Sequence, residues 1–526
     1  MSKVVSVETA VARIADGATV AVGGTGPVLE PDLVLKALEQ RFVSSGHPRD
    51  LTAFCPMLPG DRPGEGGLNT FAHEGMLARM IGASFSMKRH PRLLELIGAG
   101  KAEGYILGMG TAVQLLTAIG SGKPGVFTQV GTGSFLDPRT EGGCMNERSR
   151  RPPVRIEQLD GKDYLYYPSF PVDVAIIRGT TADENGYITM EEEPNTLGML
   201  EIALAAKASG GMVIVQVKRV ARANSLDPRM VKIPGPLVDM VVVNPRQTQL
   251  SPQMSDPGHG WNPFLAGALK TSYAGMPAMS MGAQKLILRR AAMELQPQDV
   301  INVGAGVATQ LPRVALEEGI LDKVIFTNEH GVFGGLMATA TGGSFVPAYN
   351  ADAVMDSAFQ FNFYDGGGLN ITFLGIGQID ADGNVNVSKF DREWNGPGGF
   401  NNITEVTPRI VLCGSLTSGG LRVEVDNGRL RIAQEGRFKK FVPQVQQVTL
   451  NASRAFGKGQ SVKYITERAV FQLGSNGIEL AEIAPGIDID RDIRPYVGFP
   501  LTVSPSLKTI NELVYGDAPM GLANQF

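Results

Sequence analysis

"VAVGGTGPVLEPDLVLKALEQ", residues Val20 to Gln40, and "VINVGAGVATQLPRVALEEG", residues Val300 to Gly319, follow one plan. Each runs from an apolar strand through a GxG turn and a proline into a leucine- and alanine-rich helix, with Gly24 falling on Gly304 and Gly26 on Gly306. Two more pairs follow in the same order. "GVFTQVGTG" (Gly125 to Gly133) matches "VIFTNEHGVFGG" (Val324 to Gly335), and "IIRGTTADENGYIT" (Ile176 to Thr189) matches "LGIGQIDADGNVNV" (Leu374 to Val387). Strand, glycine turn, helix, strand is the rhythm of an α/β fold with parallel sheets. The repeat therefore predicts two homologous open α/β domains with mainly parallel sheets, fused in one chain. The boundaries read as 1–245, a linker over 246–283, and 284–526, with insertions in the first half, where the blocks are spaced more widely.

Composition narrows the function classes. The 526 residues are 43% apolar and 19% charged, enough for two large cores. With a formal net charge of -4 there is no basic surplus to drive binding to a phosphate backbone, so nucleic acid is not expected as a partner. Cys55, Cys144 and Cys413 lie far apart with no CxxC, as expected in a reducing compartment. The five histidines are scattered and no spacing offers a metal site. The N-terminus is broken by Glu8, Arg13 and Asp16, and no apolar run is long enough for a membrane span. A soluble, cytoplasmic protein with no membrane partner is expected.

Glu329 is the residue that the repeat does not explain. It stands at the end of an apolar strand, where α/β folds bind ligands. The matched block of the first half reads Thr128-Gln129-Val130, with no acid. A carboxylate there can act as a base, or as a nucleophile forming an anhydride or thioester; a solvated loop glutamate is the plain alternative. Glycines beside it leave room for an acyl group and offer amides to an oxyanion. The turn "NVGAGVATQLP", Asn302 to Pro312, could gather backbone N–H groups at a helix start, but lacks the third glycine of a dinucleotide fingerprint. Glycine runs at Gly366–Gly368 and at Gly396, Gly398 and Gly399 suit loops passing close to a ligand. Met190 to Glu193 reads as a solvated acidic edge and Arg148 to Arg155 as a basic loop.

Taken together, "GKPGVFTQVGTGSFLDPR", "FPVDVAIIRGTTADENGYIT", "FYDGGGLNITFLGIGQIDADGNVNVSKF", "GPGGFNNI", "YITERAVFQL" and "EIAPGIDIDRDI" resemble the family I CoA-transferases. The likeness covers nearly the whole chain and is to single-chain acetate/propionate enzymes, in which two half-enzymes are fused. It implies Glu329 as covalent catalyst in a ping-pong exchange through acyl-glutamyl anhydride and glutamyl-CoA thioester. Coenzyme A is then a substrate, with neither cofactor nor metal. It further implies that Gly304, Ala305, Gly306, Val307 and Ala308 sit by the CoA and the oxyanion, that Gly398 and Gly399 line the CoA channel, and that the protein is a homo-oligomer, dimer or tetramer. Two positions depart from the family pattern. Met109 stands where a pocket glutamine is expected, and Asn370 where an acid is; both are assigned to the acyl pocket and put a larger or less polar acid in play. The competing readings are an acyl-CoA hydrolase using Glu329 as base and a non-catalytic ligand-sensing module. No helix-turn-helix or basic reader segment supports the latter.

Overall fold

The computed structural model describes residues 3–251, 260–338 and 347–526. Two sheets dominate. The first has eight strands, all parallel, in the order Val4–Val5, Met240–Val243, Met212–Val217, Val174–Arg178, Thr19–Val22, Leu51–Cys55, Leu77–Gly82, Glu103–Ile106. The second has ten, with a parallel centre of Ile325–Thr327, Val300–Val303, Ile371–Gly375, Arg409–Cys413 and Ser461–Ile465. Antiparallel pairs extend it at both sides. The central strands are buried on both faces: Val174–Arg178 is buried throughout, and the continuous apolar run 174–177 is what a parallel sheet covered on both faces requires. Helices such as Asp32–Ser45, Met109–Gly120 and Met199–Ala208 cover the faces. Mainly parallel sheets with helices match the predicted α/β class.

The internal repeat holds for its first and third pairs. Thr19–Val22 and Val300–Val303 occupy equivalent central places, each flanked by parallel strands on both sides. The acidic turns also coincide. Gly186 N–H donates to the Asp183 carbonyl at 2.9 Å, and Gly383 N–H to that of Asp380 at 3.0 Å. In each, the carboxylate accepts the N–H of the asparagine before or after the glycine, Asn185 at 2.9 Å and Asn384 at 3.0 Å.

The second pair is corrected. Gly125–Thr128 is not in the main sheet; it pairs antiparallel with Lys162–Pro168 in a separate three-stranded sheet. Its Val126 packs against the core, while Phe127 faces outward and stacks on Tyr166 with centroids 4.4 Å apart. The strand that flanks Thr19–Val22 as Ile325–Thr327 flanks Val300–Val303 is Leu51–Cys55. Val20 lies opposite Ala53 as Val300 lies opposite Ile325, so Phe54 matches Phe326 and Met57 matches Glu329. The first half still lacks the acid, but what replaces it is a buried methionine, with Ser357 Oγ 3.8 Å from its sulfur.

The acidic run is corrected too. Glu193 is buried and paired with the equally buried Arg178 at 2.9 Å, while Glu191 and Glu192 pair with Arg219 and Lys218. A carboxylate can be taken out of water there because the guanidinium meets it with two N–H groups. The stretch after the first sheet is tied to the same arginine, which donates to the carbonyls of Thr248 and Gln249. Among the described residues no helix is long and apolar enough to cross a membrane.

Candidate active site

The strand Ile325–Thr327 ends on a buried polar network. Thr327 Oγ1 donates to the Ile301 carbonyl at 2.8 Å and lies 2.8 Å from the Tyr364 hydroxyl, which also accepts from Asn302 Nδ2 at 3.1 Å. Asn328 then folds the chain back: its Oδ1 accepts the N–H groups of His330 at 3.0 Å and Val332 at 3.4 Å. Gly331 completes the turn at φ +95°, and a Cβ there would stand 2.0 Å from the Met355 carbonyl oxygen, so only glycine fits. Glu329 is left at the tip.

Its half-buried carboxylate meets the second half's glycine loop. Oε2 accepts the Gly399 N–H at 2.9 Å, and a Cβ on Gly399 would lie 2.1 Å from that oxygen. Gly398, at φ +55°, faces both Glu329 and Met109; a Cβ on it would stand 3.8 Å from Glu329 Oε1 and from Met109 Cε. Burial pushes the Glu329 carboxyl up to about 7, with the Gly399 amide pulling the other way. Burial also pushes His330 down to about 3, so its imidazole is neutral at physiological pH. Asn195 from the first half holds the His330 carbonyl at 2.8 Å.

The carboxylate opens on a cavity of about 510 Å³ built by both halves. The first half contributes Thr25, Gly26, Ser84, Phe85, Arg89 and Met109. The halves are joined around it by backbone hydrogen bonds: Met109 N–H to Gly398 O and Gly398 N–H to Ala83 O at 2.9 Å each, and Phe85 N–H to Asn395 O at 2.6 Å.

Of the residues singled out in the sequence, Gly304, Ala305, Gly306, Val307, Gly398 and Met109 line this cavity with Glu329, and Gly399 touches Glu329 directly. Ala308 does not line it; it is fully buried in the short 3-10 turn behind the loop. Asn370 is no part of an acyl pocket. It is exposed and sits just before the strand Ile371–Gly375, at the end opposite the cavity, where its Oδ1 accepts the Val300 N–H at 2.8 Å and its own N–H donates to the Val300 carbonyl at 2.9 Å. Its amide stitches two strands together. Gly366–Gly368 also lies elsewhere, closing helix Ser357–Asp365, while Gly396 and Gly398 are at the cavity. Sequence reading missed Arg89, ion-paired to Asp61 at 3.0 Å, and Lys440. Neither sits in a motif, and chain folding alone brings them to the cavity that Glu329 lines. Among the described residues no three His, Cys, Asp or Glu side chains are grouped to hold a metal.

Residues 4–244 match the Coenzyme A transferase family. Over nearly the full length the chain is similar to acetate CoA-transferase YdiF of Escherichia coli strain K12, with 38% identity covering 98% of this chain and 96% of that one. It is similar to the caffeate CoA-transferase of Acetobacterium woodii at 39% identity, covering 99% of each. The crystal structure of the acyl-CoA transferase YdiF apoenzyme from E. coli O157:H7 superposes with a TM-score of 0.92 at 37% identity, covering 99% of this chain and 97% of that one. Its thioester complex with CoA gives 0.91 at the same identity and coverage. The chain belongs to the family I CoA-transferases, as a single-chain member. It is thus an enzyme that works on acyl-CoA substrates.

Proposed function

We propose that Glu329 is the covalent catalyst of a ping-pong transfer of CoA from an acyl-CoA to a free carboxylic acid. The carboxylate attacks the thioester carbonyl, the C–S bond breaks, and CoA thiolate leaves an acyl-glutamyl anhydride. The thiolate then attacks the glutamyl carbonyl, the C–O bond breaks, and the first acid departs from a glutamyl-CoA thioester. A second carboxylate attacks that thioester to give a new anhydride and free thiolate. Attack of the thiolate on the new acyl carbonyl forms the product acyl-CoA and returns Glu329. Each exchange passes one activated acyl group to another, so no ATP is consumed.

The observation that carries this reading is the setting of Glu329: the one carboxylate among the described residues that line a cavity built by both halves, amide-bonded on one oxygen. The Gly399 N–H is placed to hold the carboxyl oxygen that takes negative charge when the glutamyl carbonyl is attacked. Partial burial in a cavity lined by both halves would limit the access of water to both intermediates. A carboxyl titrating at about 7 would equally suit a general base in hydrolysis. Incubation with acyl-CoA and no acceptor, followed by borohydride and peptide mapping, separates the two. A CoA adduct on the Glu329 peptide, or its reduction product, supports transfer; free CoA released from unmodified protein favours hydrolysis.

The acyl side is read as apolar. Met109 stands beside Glu329 where a hydrogen-bonding side chain would favour small polar acids, and Phe85, Leu374, Phe400 and Ile403 share the cavity. We expect kcat/KM to rise roughly fourfold per added methylene, the worth of about 0.8 kcal/mol of apolar burial, until the cavity fills. Transfer rates across acids of increasing size check this; a steep preference for acetate would sink it.

A further inference from the structure

Three basic side chains line the catalytic cavity, and they differ in what balances them. Arg89 is neutralised by Asp61 at 3.0 Å. His330 is neutral. Lys440 points its Nζ at the backbone carbonyl of Ile376 at 3.2 Å, and among the described residues no carboxylate lies within ion-pair distance of it. The nearest acid acting on it, Glu467, is already bonded to Arg468 at 2.6 Å and to the Leu416 N–H at 3.0 Å. Its backbone is fixed as well, the Lys440 carbonyl accepting the Ile379 N–H at 2.8 Å. Burial pushes the ammonium below the usual lysine range, the sign of a charge that lacks a partner.

Its place along the sheet gives the partner's distance. Glu329 follows the strand Ile325–Thr327; Lys440 lies against Ile376 and Gly414, past the ends of Ile371–Gly375 and Arg409–Cys413, which are two and three strands away. At about 4.8 Å per strand this is roughly 10–14 Å. The trough between is paved by Gly304, Gly306, Gly375, Gly377 and Gly414, where a ligand can lie close to backbone. Such a span suits the pantetheine arm of CoA between its sulfur and its first phosphate.

We propose that Lys440 anchors the diphosphate of CoA, fixing the cofactor-like arm so that its sulfur reaches Glu329. The assignment rests on Glu329 marking the reacting end. The test compares acyl-CoA with acyl-pantetheine, which lacks the phosphates, in Lys440→Met and Lys440→Arg. In Lys440→Met, kcat/KM for acyl-CoA falls roughly ten- to a hundredfold, the worth of a charge-assisted hydrogen bond. Lys440→Arg recovers part of it, while acyl-pantetheine turnover and the KM of the acceptor acid stay as in the wild type. Equal losses with both donors, including those from misfolding in both variants, would overturn the assignment. A change confined to the acceptor's KM would overturn it too, placing the anion on the acid. The Glu329 adduct is scored separately in the wild type, so a missing adduct with an intact Lys440 effect counts against the nucleophile alone.

Discussion

Glu329→Gln is expected to lower transfer at least roughly 10⁴-fold, the scale seen when a covalent nucleophile is removed, and to abolish any CoA adduct. Glutamine keeps the volume and the carbonyl that faces the Gly399 N–H, so the cavity survives while the attacking oxygen is lost. Only the ionised carboxylate attacks. Because its carboxyl titrates at about 7, wild-type kcat/KM for acyl-CoA should fall tenfold per pH unit below that point and level off above it. Stability should move the other way. The folded-state value lies above the 4.5 of a free glutamate, so the native state binds the proton more tightly. The cost of the buried charge grows as pH rises from 4.5 to about 7 and is constant beyond. Relieving it should stabilise Glu329→Gln by about 2–3 kcal/mol at pH 8 and by nearly nothing at pH 4.5. Denaturation at the two pH values checks this; a variant equally inactive but less stable at pH 8 would mean the loss came from damage to the fold.

Gly399→Ala is expected to cost roughly 100-fold in kcat/KM, the scale of a 1 Å misplacement of a reacting group. The cause is steric and local. Gly399 has φ -83°, which any residue adopts, so the backbone can stay as it is. The new Cβ, however, would stand 2.1 Å from Glu329 Oε2 and 3.1 Å from Phe361 Cε1. Phe361 is fully buried, so the carboxylate must swing away, losing its amide partner. Adduct formation from acyl-CoA should slow by the same factor. Any stability lost should return when Glu329→Ala removes the atom that clashes; a loss persisting in the double variant would place the strain on Phe361 instead.

The strand-and-glycine plan at Val20 and Val300 was legible because a buried parallel strand is a continuous apolar run, and its loop needs glycine whatever lies far away. Glu329 was legible for the converse reason: an acid at a strand end where the fold's other copy has none. Pairing Thr128 with Thr327 failed because a few residues of apolar-threonine pattern suit any strand; which sheet receives it depends on partners far along the chain. Asn370 failed likewise. Its position in a glycine-rich string said nothing about which end of its strand faced the ligand. Arg89 and Lys440 carry no local signal, since their meaning lies in distances to residues from other strands and, for Arg89, from the other half.

The seam between the halves has a consequence for waste. The bonds joining Met109, Ala83 and Phe85 to the loop Asn395–Gly398 also border the cavity in which, on the mechanism proposed above, the activated glutamyl group would form. Whenever the halves breathe there, an intermediate can be spent on water instead of being handed to the next acid. On that mechanism the enzyme's fidelity, the number of exchanges completed for each one squandered, would depend on how firmly two backbone loops are buttoned together. It is a mechanical property of the fused chain, separable from how reactive Glu329 is.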